Sequence, residues 1–260
     1  MDFFAPLLTI DPVLLAAAAA VMALGGFVKG AVGFALPAVG IAGLGTFMPA
    51  HDTVGIMVLP TFASNMWQAL RQGLGPAGQT FRAFWKLNLL LALTIGLAAQ
   101  LVPSIPGAAL FIFLGGVVSF TAMLQLAGWR PRAPAAARPR AALEVLCGVL
   151  AGILGGISGV WGPVVVFYLM ALDIARTTQQ RTMGLSFMIG SLVLIPAHGL
   201  SGILNAHTLP LGLVLCLPMA LGMALGLMCQ DRMNPVVFRR ATLAVLCLAG
   251  LNLLRRGLTM

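Results

Sequence analysis

The residues of this chain that are equipped for chemistry gather at two glycine-rich stretches. Residues 151–163, Ala-Gly-Ile-Leu-Gly-Gly-Ile-Ser-Gly-Val-Trp-Gly-Pro, set Gly152, Gly156, Gly159 and Pro163 in the frame G-x3-G-x2-G-x3-P, and Gly26, Gly30, Gly33 and Pro37 repeat that frame 126 positions earlier. Glycine and proline release backbone groups from a helical ladder, and inside a bilayer those groups must be satisfied by protein, water or a bound polar ligand. Each stretch therefore reads as a break in an apolar segment. A half-helix that ends at such a break presents N–H groups with partial positive charge, for which a carboxylate or a sulfur oxyanion is a suitable partner.

Lys29, beside Gly30, is the sharpest candidate, because a lysine inside an apolar run costs several kcal/mol unless it is paired, hydrated or snorkelling. Its competing reading is that residues 12–28 form a complete span and Lys29 marks the cytoplasmic end. Gly33 and Gly159, at the breaks, are expected to expose backbone to substrate, with Gly30 and Gly156 beside them; Gly26 and Gly152 are expected to serve close helix packing. Ser158 adds a hydroxyl and Trp161 a wall, although serine also bonds back to its own helix and tryptophan also anchors at the lipid interface. Asn65 and Ser191 stand 126 positions apart in the segments that follow the two breaks, and Gln68 lies one turn beyond Asn65 on the same face. Hydrogen bonding between helices is the alternative account of these three.

The elements that position these residues follow from composition. Of the 260 residues 60% are hydrophobic and only 8% charged, with a mean hydropathy of +1.03. A soluble domain carries about a quarter of its residues as charges, so lipid is the outer solvent and the fold class is an all-α polytopic membrane protein. The net charge of +9 sits between apolar segments, where it sets topology and does not grip nucleic acid. Cys147, Cys216, Cys229 and Cys247 lack metal-type spacing. No metal or cofactor is expected. The N-terminus lacks a basic leader region, so the alanine-rich stretch after Pro12 is expected to be a retained span.

Apolar segments are expected over about residues 12–28, 31–48, 54–70, 84–102, 107–127, 142–157, 159–173, 182–203, 208–228 and 236–254. A full span needs about 20 residues at 1.5 Å per residue. The two glycine-linked pairs, 12–48 and 142–173, are therefore read as re-entrant hairpins of half-helices or as two short tilted spans each. Because the offset of 126 also carries the later segments onto one another, the chain reads as two units. These are a first membrane repeat over 1–127, a Pro/Arg-rich cytoplasmic linker over 128–141, and a second repeat over 142–260. Arg71, Arg82 and Lys86 are assigned to one cytoplasmic loop, Arg130, Arg132, Arg138 and Arg140 to another, and Arg232, Arg239 and Arg240 to a third. This arrangement puts both termini outside and the repeats in inverted orientation, as in secondary transporters. Lys29, Arg255 and Arg256 run against it.

At these residues the sequence resembles the sulfite exporter TauE/SafE family of membrane transporters, over nearly the whole chain. The resemblance rests on length, the number of apolar segments, the basic mid-chain linker and the twin signatures Gly26 to Pro37 and Gly152 to Pro163. It implies export of small sulfur-containing anions, such as sulfite, sulfonates or related organosulfur acids, across the bacterial inner membrane. Phe34, Ala35, Leu36, Val160 and Trp161 depart from a glycine-rich pattern, and their bulk bears on pocket size. The expected partners are a small anion and the bilayer. Protons are a candidate coupling ion, carried by His198 or by the substrate, since the Asp and Glu residues all lie at segment ends or in loops.

An alternative of another class is a rhomboid-like intramembrane serine protease. Gly156-Ile157-Ser158-Gly159 matches a nucleophile motif of that group and Ala197-His198 resembles its histidine motif, so Ser158 and His198 would form a dyad. Duplication accounts for the glycines without a protease, because Gly30 and Gly33 are the counterparts of Gly156 and Gly159.

Overall fold

The structure, a computed structural model, describes residues 10–71, 73–128, 137–172, 174–229 and 234–260. The helices are α1 (Pro12–Val32), α2 (Leu36–Leu44), α3 (Ala50–Leu70), α4 (Leu74–Ala83), α5 (Trp85–Ala99), α6 (Gly107–Leu126), α7 (Ala137–Ser158), α8 (Gly162–Ala171), α9 (Arg176–Leu200), α10 (Thr208–Cys229) and α11 (Pro235–Leu258), with a 3-10 turn at Val102–Ser104. Local chemistry sets several starts. Asp11 Oδ1 accepts from the Val13 N–H at 2.8 Å, ahead of Pro12 in the first turn of α1. Asn234 caps α11 in the same way, with Pro235 following. Proline at the first helical position loses no hydrogen bond, and an Asx cap satisfies one of the free N–H groups.

Among the described residues, seven helices are long and apolar enough to cross a membrane. The chain is a multi-pass membrane protein of the all-α class. Helix α3 equals α1 in length, at 21 residues, but stays outside that set. It buries Thr53, Thr61, Ser64 and Asn65, so its polarity is spent inside the protein.

Neither expected form of the glycine-linked pairs is what forms. The first member of each pair is a full-length helix of 21 or 22 residues that runs through Gly26 and Gly30, or through Gly152 and Gly156. The break falls after it, and the second member is short, 9 residues in α2 and 10 in α8. That is about 15 Å, half the hydrocarbon thickness. Glycine inside the long helices is tolerated because it sits at helix contacts. A Cβ on Gly26 or Gly30 would strike the carbonyl of Met219 or Met223 on α10, and one on Gly222 or Gly226 would strike that of Ala23 or Phe27 on α1. In the second half a Cβ on Gly152 or Gly156 would lie 2.7 Å from the carbonyl of Leu91 or Ile95 on α5. Small residues let these backbones touch.

The ends of α1 and α7, the starts of α2 and α8, and the starts of α3 and α9 are each separated by 126 residues. Packing is exchanged between the halves: α1 lies chiefly on α10 and its counterpart α7 on α5, while α3 packs on α9 and α6 on α11. The last two pairs run antiparallel. Asn65 meets Phe187 while Ala69 meets Gly184, and Gly115 meets Gly250 while Ala108 meets Gly257.

Several basic residues assigned to loops belong to helices. Residues 74–83 form α4, which carries Arg82 and exposes Leu74 and Phe81 while burying Ala77 and Thr80. Its amphipathic pattern is too short to register as an apolar segment. Arg140 lies in α7, and Arg239 and Arg240 lie in the first turns of α11. Arg130, Arg132 and Arg232, with most of the Pro/Arg-rich linker, lie outside the described residues. Two of the cations that opposed the charge-based topology have structural roles. The Arg256 guanidinium donates to the Gly45 carbonyl at the C-terminus of α2 and stacks over Phe111 at 4.6 Å. Lys29 lies in the last turn of helix α1 and is 2% exposed, so it stands near the end of a full-length helix with its side chain buried in the protein.

Candidate functional site

Helix α1 ends where Gly33 adopts φ +91° and its N–H bonds the Lys29 carbonyl at 2.7 Å; α7 ends in the same manner at Gly159, φ +67°, whose N–H bonds the Gly155 carbonyl at 2.7 Å. These left-handed conformations are open to glycine at little cost. Beyond them α2 and α8 begin without a side-chain cap, at Ala35 and Trp161. Ala35 is itself held at φ +82°, where the other described residues of positive φ are all glycine. Such strain gathers at functional sites.

Lys29 reaches from α1 to α3. Its Nζ donates to Ser64 Oγ at 3.0 Å and to Asn65 Oδ1. Asn65 passes the link to the second half: its Nδ2 donates to the Phe187 carbonyl at 3.0 Å and to Ser191 Oγ at 3.3 Å. Ser191 in turn donates to the Phe187 carbonyl at 2.7 Å. A protonated lysine carries three donor hydrogens, so two bonds leave one N–H to be met. Among the described residues no carboxylate pairs with it.

This ammonium borders a cavity of about 550 Å³, counting its open mouth, between the two breaks. The first half contributes Phe34, Ala35, Asn65, Thr121 and Gln125, and the second contributes Gly159, Trp161, Gly162, Phe187, Leu243 and Leu246. Gly159 has no atom within 4 Å of a Cβ position, so its backbone faces open space. The described walls are mainly apolar and one corner carries the lysine, a lining in which a few placed polar groups can orient a small ligand. At the rim, Arg239 donates to Gln125 at 3.1 Å and its guanidinium lies 5.8 Å from the centre of the Phe34 ring.

The two halves fill equivalent space differently. Lys29, Ser64 and Ala35 of the first half correspond to Gly155, Gly190 and Trp161 of the second. A Cβ on Gly155 would run into the Trp161 ring, and one on Gly190 would lie 3.5 Å from it. The fully buried indole thus occupies the position that the lysine side chain takes in the first half, and the polar corner is built from one half alone.

Of the residues singled out from sequence, Lys29, Asn65, Gly159 and Trp161 line this cavity, and Ser191 is bonded to it through Asn65. Gln68 donates to the Gly33 carbonyl at 2.9 Å, and both residues border a second, smaller cavity with Gly30. Gly156 is placed at the contact with α5. Ser158 is consumed locally: its hydroxyl donates to the Leu154 carbonyl at 2.6 Å and accepts from the Val160 N–H at 3.1 Å. His198 pairs with Ser201 at 3.4 Å and not with Ser158, so the protease alternative has no dyad to rest on. Ser64, Thr121 and Gln125 were missed. Their signal was present, since polar residues one turn apart in an apolar helix mark one face: Thr121 with Gln125, and Ser64 with Gln68.

A family profile described as Sulfite exporter TauE/SafE matches residues 18–253. A probable membrane transporter protein of Methanocaldococcus jannaschii is 26% identical over 121 residues, which cover 42% of this chain and 44% of that protein. The chain thus spans less than half the length of this relative. No solved structure matches the chain. The profile extends over both glycine breaks, the Lys29–Asn65–Ser191 link and the cavity between the halves, and on that ground the chain belongs to the sulfite exporter TauE/SafE family of membrane transporters.

Proposed function

We propose that this chain exports small sulfur-containing anions, such as sulfite, sulfonates or related organosulfur acids, across the bacterial inner membrane. The observation that carries the reading is the buried Lys29 side chain at the cavity between the two breaks, bonded to Ser64 and Asn65 and paired with no carboxylate among the described residues. Taking a small anion out of water costs far more than one side chain restores, so several donors must converge on it. Lys29 and the uncapped first turn of α8 at Gly162 are donors that line the cavity.

The exchanged packing supports a reading of alternating access. The antiparallel pairs α3–α9 and α6–α11 join counterpart helices, the relation expected of two inverted repeats, 1–127 and 142–260, about an axis in the membrane plane. Rocking one half on the other would open the cavity to either side in turn. With Arg71, Arg82 and Lys86 on the cytoplasmic face, both termini are periplasmic.

The test is a thermal-shift screen of purified protein against sulfite, methanesulfonate, acetate and chloride, since a ligand of the folded state must stabilise it. Sulfite or the sulfonate should raise the melting temperature in the wild type and in Lys29→Arg, and not in Lys29→Gln. An equal shift in Lys29→Gln would overturn the assignment.

A further inference from the structure

Lys29 is shared by two cavities and, among the described residues, is the one common to their linings. The second, of about 420 Å³ counting its mouth, is bordered by Gln68 and Arg71 of α3 and its C-cap and by Gln180 of α9, with the glycine backbone of Gly30 and Gly33 beneath. It differs from the first in chemistry. A lysine, an arginine and two glutamines line it, and no acidic residue is among its described lining residues.

One atom says more about the occupant. Gln68 Nε2 donates to the Gly33 carbonyl, which can only accept, so the amide orientation is set by its partner and Oε1 must point the other way. That oxygen is buried and has no hydrogen-bond partner. A buried acceptor beside two cations is satisfied by a ligand that is negative overall and yet carries a donor.

We propose that the Lys29–Gln68–Arg71–Gln180 cavity is a second anion position, separate from the main cavity, for a small monoanion that bears an O–H or N–H donor. Arg71 supplies the outer charge and Lys29 the inner one, Gln180 donates, and Gln68 Oε1 accepts from the ligand. Arg71 lies six residues beyond Asn65, which holds Lys29, so the residue that closes the second position is about 9 Å farther along α3 than the one that borders the first. Two anions held there at once repel, which weakens each by roughly tenfold at an intermediate dielectric. Filling the second position would thus help to discharge the first. The inference rests on the anion reading of the main cavity and extends it.

The test uses two probes equal in charge that differ by one hydroxyl, methanesulfonate and hydroxymethanesulfonate, in equilibrium binding to purified full-length protein. Hydroxymethanesulfonate should fill two classes of site, and methanesulfonate should bind the weaker class at least tenfold less well. Arg71→Gln should weaken the second class about tenfold and leave the first within twofold, with part of the loss restored in Arg71→Lys. Gln68→Met should erase the preference for the hydroxylated probe, a readout that a merely structural role would not move. A single class in the wild type, or a second class unchanged in Arg71→Gln, would overturn this inference alone. A tight class that survives in Lys29→Gln would instead overturn the reading of the main cavity, and absence of binding by either probe would overturn both.

Discussion

Asn65 and Ser191, equivalent residues 126 positions apart, are hydrogen-bonded to each other at 3.3 Å where α3 and α9 cross. In the proposed inverted-repeat arrangement, a contact between two equivalent positions lies on the axis that relates the halves. Lys29 is bonded to one of the two. Under the proposed alternating access, motion between the halves works against this link.

Replacing Asn65 by leucine removes the acceptor of Lys29 and the donor to the second half together. A buried polar group left unpaired costs about 1–3 kcal/mol. Asn65→Leu is expected to lower stability by that amount, read in denaturant melts in detergent, and to weaken sulfite binding as Lys29→Gln does. Ser191→Ala keeps the bond from Asn65 to the Phe187 carbonyl and should cost less than half as much.

The glycines of the repeated frame divide by role. Gly30→Ala forces a methyl into the α10 backbone, and overpacking of this kind costs about 1–3 kcal/mol or more; it should reduce the yield of folded protein. Gly159→Leu meets open space and carries mainly the left-handed penalty of about 1–2 kcal/mol. The folded variant should bind no sulfite, because its side chain enters the cavity. Normal binding by Gly159→Leu would remove that backbone from the site.

Trp161 holds the place in the second half that Lys29 takes in the first. Trp161→Ala should destabilise by about 3–5 kcal/mol through the void it leaves. In the variant that still folds, the enlarged cavity should admit bulkier sulfonates, such as benzenesulfonate, that the wild type rejects in competition binding. Trp161→Phe should retain most of the stability and the rejection.

Arg256 closes the C-terminus of α2 and stacks on Phe111, contacts worth together about 1–2 kcal/mol. Arg256→Gln should lower the melting temperature without changing topology. Single cysteines placed at residues 75 and 260 would report opposite faces of the membrane in both proteins. Labelling of both from one side would discard the inverted arrangement.

The sequence by itself determined the class and the period. A 60% hydrophobic composition leaves lipid as the only workable solvent, and ten apolar segments recur as helices within a few residues because backbone groups in lipid must bond internally. The repeat was legible because the same glycine spacing recurs, at four positions where only a hydrogen atom fits, Gly26, Gly30, Gly152 and Gly156, and at two of positive φ, Gly33 and Gly159. Asn65 and Ser191 could be matched on that spacing alone.

Only the tertiary structure decided which glycines pack and which face a cavity, since the frame is the same in both uses and the difference lies in what stands opposite: the α10 backbone for Gly30, open space for Gly159. It also decided that the breaks fall after full-length α1 and α7, because those helices terminate at the left-handed turns at Gly33 and Gly159, which hydropathy does not mark. The exchange of Lys29 for Trp161 was hidden as well. The two residues are six positions out of register in the repeat, and space that one side chain fills from α1 and another from the start of α8 is equivalent only in three dimensions.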